Sequence, residues 1–188
     1  MLQQDLHIHT TYSTTDSAVV PEQTVALVAA VKHAATVGIS DHFECLVNGD
    51  FNIYEKEIRQ AGLKLGVEVD GHPWVDEATD YDVDYYIFHC RDQNNDYRCL
   101  DKLLATRKPV IIAHPNAFET NLKRVPSECL VEINNRYIWR TDWKRYYGPY
   151  IDQFKFVIGS DAHQPNWLAQ AVALHAAGQL GIKEHLVF

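Results

Sequence analysis

Basic residues are scarce in this chain of 188. Seventeen Lys plus Arg stand against 25 Asp plus Glu, a formal net charge of −8. That balance argues against nucleic acid as a partner, which calls for phosphate-neutralising Lys and Arg. A local basic pocket, or acidity offset by bound cations, remains compatible with it. No apolar run approaches the roughly 20 residues of a membrane span, so no membrane partner is expected. The opening MLQQDLHIHT lacks the basic start and apolar stretch of a signal peptide. The four cysteines, Cys45, Cys90, Cys99 and Cys129, form no CxxC pair. They read as reduced, mostly buried thiols of a cytoplasmic protein. No repeat, low-complexity tract or Pro/Gly/Ser-rich linker breaks the chain, so residues 1–188 are expected to form one domain. What is present, 46% apolar and 22% charged residues, is the mixture of a soluble globular domain.

Short apolar, β-branched runs alternate with stretches of helical period, the rhythm of βα units on a parallel sheet. Strands are expected at Leu2–His9, Val37–Asp41, Leu63–Val69, Tyr85–His89, Val110–His114, Cys129–Asn134 and Phe154–Ser160. Helices are expected near 22–35, 53–61, 95–107, 141–153 and 165–177, the first behind Pro21. The segment 115–127, with Pro115 and Pro126, reads as a loop. Seven strands in alternation predict an α/β fold closed into a (β/α) barrel, with a doubly wound open sheet as the other architecture the periodicity allows.

Nearly every expected strand ends in a residue type that binds metal ions. His7 and His9 end the first, Asp41 and His42 the second, and Glu68 lies in the third. His89 and His114 end the fourth and fifth, Glu132 lies in the sixth, and Asp161 and His163 follow the seventh. In a (β/α) barrel the C-terminal strand ends converge on one mouth, so these residues would surround one cavity. His7 and His9, two apart, leave the same face of an extended chain. Imidazole mixed with carboxylate suits zinc, iron or manganese rather than the all-oxygen cages of calcium or magnesium. A single histidine at such a place is usually structural, and His33, His175 and His185 are read that way, while His72, in the loop after Glu68, is read as a loop residue rather than one that orients a ligand. The constellation at successive strand ends is what points to metal.

In order along the chain, HxH at 7–9, SDH at 40–42, GVE at 66–68, His89, AHP at 113–115, EIN at 132–134 and GSDAH at 159–163 resemble the PHP (polymerase and histidinol phosphatase) family. The resemblance implies a distorted seven-stranded (β/α)7 TIM-like barrel with two or three divalent metal ions at its mouth. It implies one metal on His7, His9, Glu68 and Asp161, and a second on His89 and His114 with Glu68 bridging. A third would sit on His42, His163 and Asp16, since STTD at 13–16 resembles the family's SxxD variant. Glu132 and Asn134 would orient histidines rather than bind metal. The implied activity is hydrolysis of a small phosphomonoester, histidinol-phosphatase-like, by a metal-bridging hydroxide. Glu68, Asp161 and His163 would be the catalytic groups. A nuclease or phosphodiesterase is the alternative, and a non-catalytic metal-binding module the third reading, disfavoured by the complete ligand set.

A phosphate substrate calls for guanidinium or ammonium groups at the mouth. Arg91, Lys123, Arg124 and Arg136 each follow a strand end, and Arg136 and Arg91 are the expected substrate contacts. In RYIWRTDWKRYYGPY at 136–150, Trp139, Trp143, Tyr146 or Tyr147, and Tyr150 recur at helical spacing. A helix packing that stripe on the barrel, with Arg140 and Lys144 solvated, is expected over a base-stacking surface. The short chain leaves no room for long βα-loop insertions, which predicts an open, shallow mouth.

Overall fold

The computed structural model describes residues 1–47 and 51–188. Seven strands, β1 (Leu2–Asp5), β2 (Ala34–Ile39), β3 (Lys64–Val69), β4 (Tyr85–Phe88), β5 (Val110–Ile112), β6 (Leu130–Asn134) and β7 (Lys155–Gly159), pair in sequential order, each parallel to the next. The circle closes just beyond β1 and β7. There Ile8 bridges Ala162, Asp161 N–H donates to His7 O at 2.8 Å, and His9 N–H donates to Ala162 O at 2.9 Å. Closure therefore falls where the metal-type residues stand. The open-sheet alternative is excluded.

Around the strands lie α1 (Val25–Val31), α2 (Phe43–Leu46), α3 (Phe51–Gln60), α4 (Val75–Ala78), α5 (Asn94–Ala105), α6 (Trp143–Tyr147) and α7 (Ala171–Leu180). The first helix starts later than the periodicity suggested, because Thr24 caps it by accepting Leu27 N–H at 3.2 Å, while Pro21 lies in the preceding turn. The helix expected at 141–153 stops at Tyr147 and tightens into a 3₁₀ turn, Gly148–Tyr150, around Pro149. That expected at 165–177 divides into a 3₁₀ turn, Pro165–Trp167, and α7, which ends on Gly181 at φ 70°.

Two cores result. Helices pack outside the sheet on residues such as Val28, Ile39, Phe43, Tyr54, Val67 and Leu100. Inside the barrel Leu6, Tyr85, Ile87, Ile111, Ala113, Leu130 and Val157 form a second cluster. Tyr85 is its largest member, and its hydroxyl donates to Leu6 O at 2.6 Å. Gly38 and Gly66 face that ring, and a Cβ at Gly66 would stand 2.3 Å from Tyr85 Cζ. The tail covers the other end of the barrel, where Gln4 binds His185 O and Val187 N–H. Cys90, Cys99 and Cys129 are buried thiols and Cys45 is half-buried, with no disulfide among the described residues. Among those residues no helix is long and apolar enough to cross a membrane.

Candidate metal centre

The period-two alternation that fills the barrel also builds the mouth. Positions 66 and 68, 85, 87 and 89, 130, 132 and 134, and 157, 159 and 161 each run along one inward face. Low on that face the residues are apolar or glycine; at the strand ends they become Glu68, His89, Glu132, Asn134 and Asp161. His114 breaks the alternation, since Ala113 already faces inward. Its backbone is turned to φ 24°, and Asp161 likewise stands at φ 54°. Non-glycine residues in this region cost on the order of 1–3 kcal/mol, a strain that clusters at functional sites.

All nine expected ligands come together. Glu68 is the hub: its Oε1 lies 2.6 Å from His89 Nε2, 3.0 Å from His7 Nε2 and 3.6 Å from His114 Nε2. Its Oε2 lies 3.3 Å from His9 Nε2 and 3.1 Å from His42 Nδ1. Asp161 Oδ1 is 3.7 Å from His9 Nε2 and 3.3 Å from His163 Nδ1. Asp16 Oδ2 reaches His163 Nε2 at 2.8 Å and His42 Nε2 at 3.5 Å. His9, His42 and His163 form one group whose ligand atoms lie within 4.8 Å; His7, Glu68 and His114 form a second, and His7, His9 and Asp161 a third.

The proton inventory of this cluster fits cations. Ser13 Oγ donates its proton to Asp41 Oδ1 at 2.7 Å, so it accepts from His9 Nδ1–H at 3.1 Å. His7 Nδ1–H donates to Glu132 Oε1 at 2.8 Å. Against burial, Glu132, Asp161 and Glu68 raise His7 well above its ordinary value, so its Nε2 also holds a proton that a cation would displace. Both Nε2 atoms, 3.2 Å apart and beside the Glu68 carboxylate, then offer lone pairs. Two lone pairs and a carboxylate converging in a buried space are a donor set for a metal ion. His114 Nδ1 is also buried without a hydrogen-bond partner among the described residues.

Charge follows the same geometry. Burial opposes ionisation of Glu68, yet His89, His7, His9 and His42 together hold its carboxyl well below the usual range. Burial, reinforced by Glu68 and Glu132, pushes Asp161 up to about 7 against the pull of His7. Burial lowers His114 and His163 to about 4, while the carboxylates around His42 and His89 overcome burial and raise them to about 10 and about 9. Asp70, through its bond to His89 and then Arg91, is lowered to about 2.

A shell of anchors surrounds these residues: Glu132 holds histidines as expected, whereas Asn134 bonds the carboxylates of Glu132 and Asp161 and no histidine among the described residues. Glu132 Oε2 accepts His114 N–H at 2.7 Å and Asn134 Nδ2 at 3.0 Å. Asp41 is an anchor rather than a ligand, holding Thr10 and Ser13. Asp70, which accepts from His89 Nδ1 at 2.9 Å, was not singled out in the sequence, although its position two beyond Glu68 is the signal that finds it. His33 binds Asp5 and His72 binds Asp96, both structural.

Arg136 reaches the cluster, with Nη1 3.2 Å from His163 Nε2 and 3.5 Å from Asp161 Oδ1. Arg91 stands on the rim, tied to Asp70. Arg124 stacks on Tyr97 at 3.8 Å and bonds Asn94. Two expectations are corrected. The mouth is not open and shallow: Phe118, from the 115–127 loop, lies 4.8 Å and 4.9 Å from the His89 and His114 rings, and Tyr137 covers His114 at 4.8 Å. Nor is 136–150 one packed helix, because Trp139 sits in a 3₁₀ turn and is 65% exposed. A cavity of about 240 Å³ beside Arg136 is lined by Asn135, Ser160, Asn166, Trp167 and Ala169. Neither it nor a larger groove of about 550 Å³ between the 116–122 and 141–150 segments is lined by any of the nine ligands.

Fold and site together define a parallel seven-stranded (β/α) barrel whose mouth gathers histidine and carboxylate groups that could hold metal. The chain belongs to the PHP domain family, whose model matches residues 5–160. That family consists typically of metal-dependent phosphoesterases. No curated protein matches the sequence. Among solved structures the chain is similar in fold to a truncated form of 3-deoxy-D-arabino-heptulosonate 7-phosphate synthase from Thermotoga maritima, at TM-score 0.52 and 15% identity over 95% of this chain and 72% of that one. That likeness concerns the barrel alone.

Proposed function

We propose that the chain is a metal-dependent hydrolase of a small phosphomonoester, resembling histidinol phosphatase in chemistry. The observation that carries this reading is the position of Arg136, whose guanidinium touches Asp161 and His163 at the edge of the ligand cluster. Cation ligands and a phosphate-binding group thus share one small space. Bound zinc, manganese or iron would lower the pKa of a water and neutralise the phosphoryl oxygens. His7, His9, Asp16, His42, Glu68, His89, His114, Asp161 and His163 would hold two or three such ions. Glu68, ionised and touching five histidines, ties the metal positions together. Arg136 and Arg91 hold the phosphoryl oxygens. Asp161 and His163 are the titratable groups nearest the guanidinium, and either of them, once released from its ion, would supply the proton for the leaving oxygen. Initial rates on a panel of small phosphomonoesters and one phosphodiester test this. Turnover confined to monoesters supports it, and turnover of the diester alone rejects it.

One observation favours a second reading, a phosphodiesterase acting on a nucleic-acid end. Arg140 lies 5.4 Å from the Trp139 ring and 4.5 Å from that of Tyr137, while Arg136 stands 5.1 Å from Tyr137 and 5.2 Å from Trp167. Alternating guanidinium and aromatic groups lead from solvent to the site, an arrangement suited to stacked bases and their phosphates. The net charge of −8 weighs against it.

A further inference from the structure

Where the chain leaves β3 and β4, a single carboxylate oxygen serves two groups of different use. Asp70 Oδ1 accepts from His89 Nδ1 at 2.9 Å and from Arg91 Nε at 3.0 Å, and Arg91 Nη2 donates to it as well. His89 meets Glu68 Oε1 through its other nitrogen at 2.6 Å. The Arg91 guanidinium stands 4.7 Å from the Phe118 ring, which itself packs on His89 and His114. Asp70, His89, Phe118 and Arg91 thus close a ring of contacts around one edge of the metal centre. The Arg91 backbone is fixed too, since buried Asp96 accepts its N–H at 2.8 Å together with that of His72, two residues beyond Asp70, at 3.0 Å.

We propose that Asp70 is a positioning residue that links the metal ligand His89 to the phosphate-binding Arg91. An ionised carboxylate can only accept, so its bond to Nδ1 keeps the proton there and leaves the His89 Nε2 lone pair facing the cation site. The same oxygen takes two of the five guanidinium donors of Arg91 and leaves three for an anion. An exposed ion pair alone adds little to stability. The shared oxygen instead makes the aim of Arg91 depend on the orientation of His89. The identity of the anion rests on the phosphoesterase reading; the histidine half rests on metal binding alone.

Asp70→Asn, Arg91→Gln and the double variant, each as the full chain with its melting temperature checked, separate the possibilities. Manganese is titrated into each protein, then inorganic phosphate into the loaded form. Asp70→Asn is expected to weaken metal binding about 10–100-fold at one site, as loss of an outer partner does. It should weaken phosphate binding about tenfold, as Arg91→Gln does with metal affinity unchanged. The double variant should bind phosphate no more weakly than Asp70→Asn. In the metal-free protein at about pH 10, above the value of about 9 to which, against burial, Glu68 and Asp70 raise His89, nitrogen NMR should show the ring protonated at Nδ1 in the parent and as a tautomer mixture in Asp70→Asn, a change that a purely structural role does not produce. A folded Asp70→Asn with parental metal affinity, phosphate affinity and tautomer overturns the inference while leaving the phosphoesterase reading intact. A parent protein that binds metal but no phosphate rejects that reading and the Arg91 half with it.

Discussion

Glu132 holds His7 and His114 at once, accepting His7 Nδ1–H at 2.8 Å on one oxygen and the His114 backbone N–H at 2.7 Å on the other. It fits only because residue 159 is glycine, where a Cβ would stand 2.0 Å from Glu132 Oε1. Glu132→Gln is expected to keep the fold and lower metal affinity about 10–100-fold. Gly159→Ala should do at least as much by displacing the carboxylate. Calorimetric metal titration of both variants checks this, and parental affinity in both would remove Glu132 from the account.

Metal-induced stabilisation should grow with pH. Without metal, Asp161 keeps a proton up to about 7 against 3.8 for an ordinary aspartate, so its contribution to stability is full below 3.8 and is lost as pH rises through 7. His42 and His89, raised to about 10 and about 9 from 6.5, contribute fully below 6.5 and lose it as pH climbs through those values. His114 and His163, lowered to about 4, work the opposite way, favouring the fold above 6.5 and losing that as pH falls through 4. Cations compete with protons for the same atoms, so the rise in melting temperature on adding zinc or manganese should be smaller near about pH 5.5 than near about pH 8.5. Differential scanning fluorimetry at the two pH values measures it, and an equal rise at both would contradict it.

Arg136 should matter for the anion and not for the metal. Its Nη1 lies 3.5 Å from Asp161 Oδ1 yet carries no lone pair to bind an ion. Arg136→Gln is expected to weaken competitive inhibition by inorganic phosphate about 10–100-fold, with metal content unchanged. Loss of metal in this variant would show that the guanidinium serves the cluster rather than the substrate.

Inside the barrel, packing against Tyr85 leaves no space at Gly66, where a Cβ would lie 2.3 Å from Cζ. Gly66→Ala should destabilise the protein by about 1–3 kcal/mol through overpacking, measured by urea unfolding. The clash lies between Tyr85 and the barrel wall, so Tyr85→Phe, which removes only the hydroxyl, should not rescue it.

Much of this molecule was legible in the sequence because strand periodicity and ligand chemistry coincide. Gly66–Glu68, Ile87–His89 and Leu130–Glu132 each place an interior residue two positions below a site residue, so fold and site carry one signal. His114 was legible by its motif, but the φ of 24° that swings it into the mouth was not. Phe118 lies in an irregular loop whose path is set by tertiary contacts, such as Thr120 Oγ1 with Cys90 O, and no local period announces it. Trp139 misled for the opposite reason: its helical spacing from Trp143 was real, but the helix begins only at Trp143, behind the Asp142 cap.

The central claim is that Glu68 joins a multinuclear metal centre, since it touches five histidines. Elemental analysis of metal per chain, for the parent and for Glu68→Gln after reconstitution with zinc, manganese and iron in turn, tests it most directly. The account predicts two or three equivalents in the parent and a loss of at least one in the variant, because this carboxylate serves more than one position. A parent chain that stays metal-free through all three reconstitutions would contradict it.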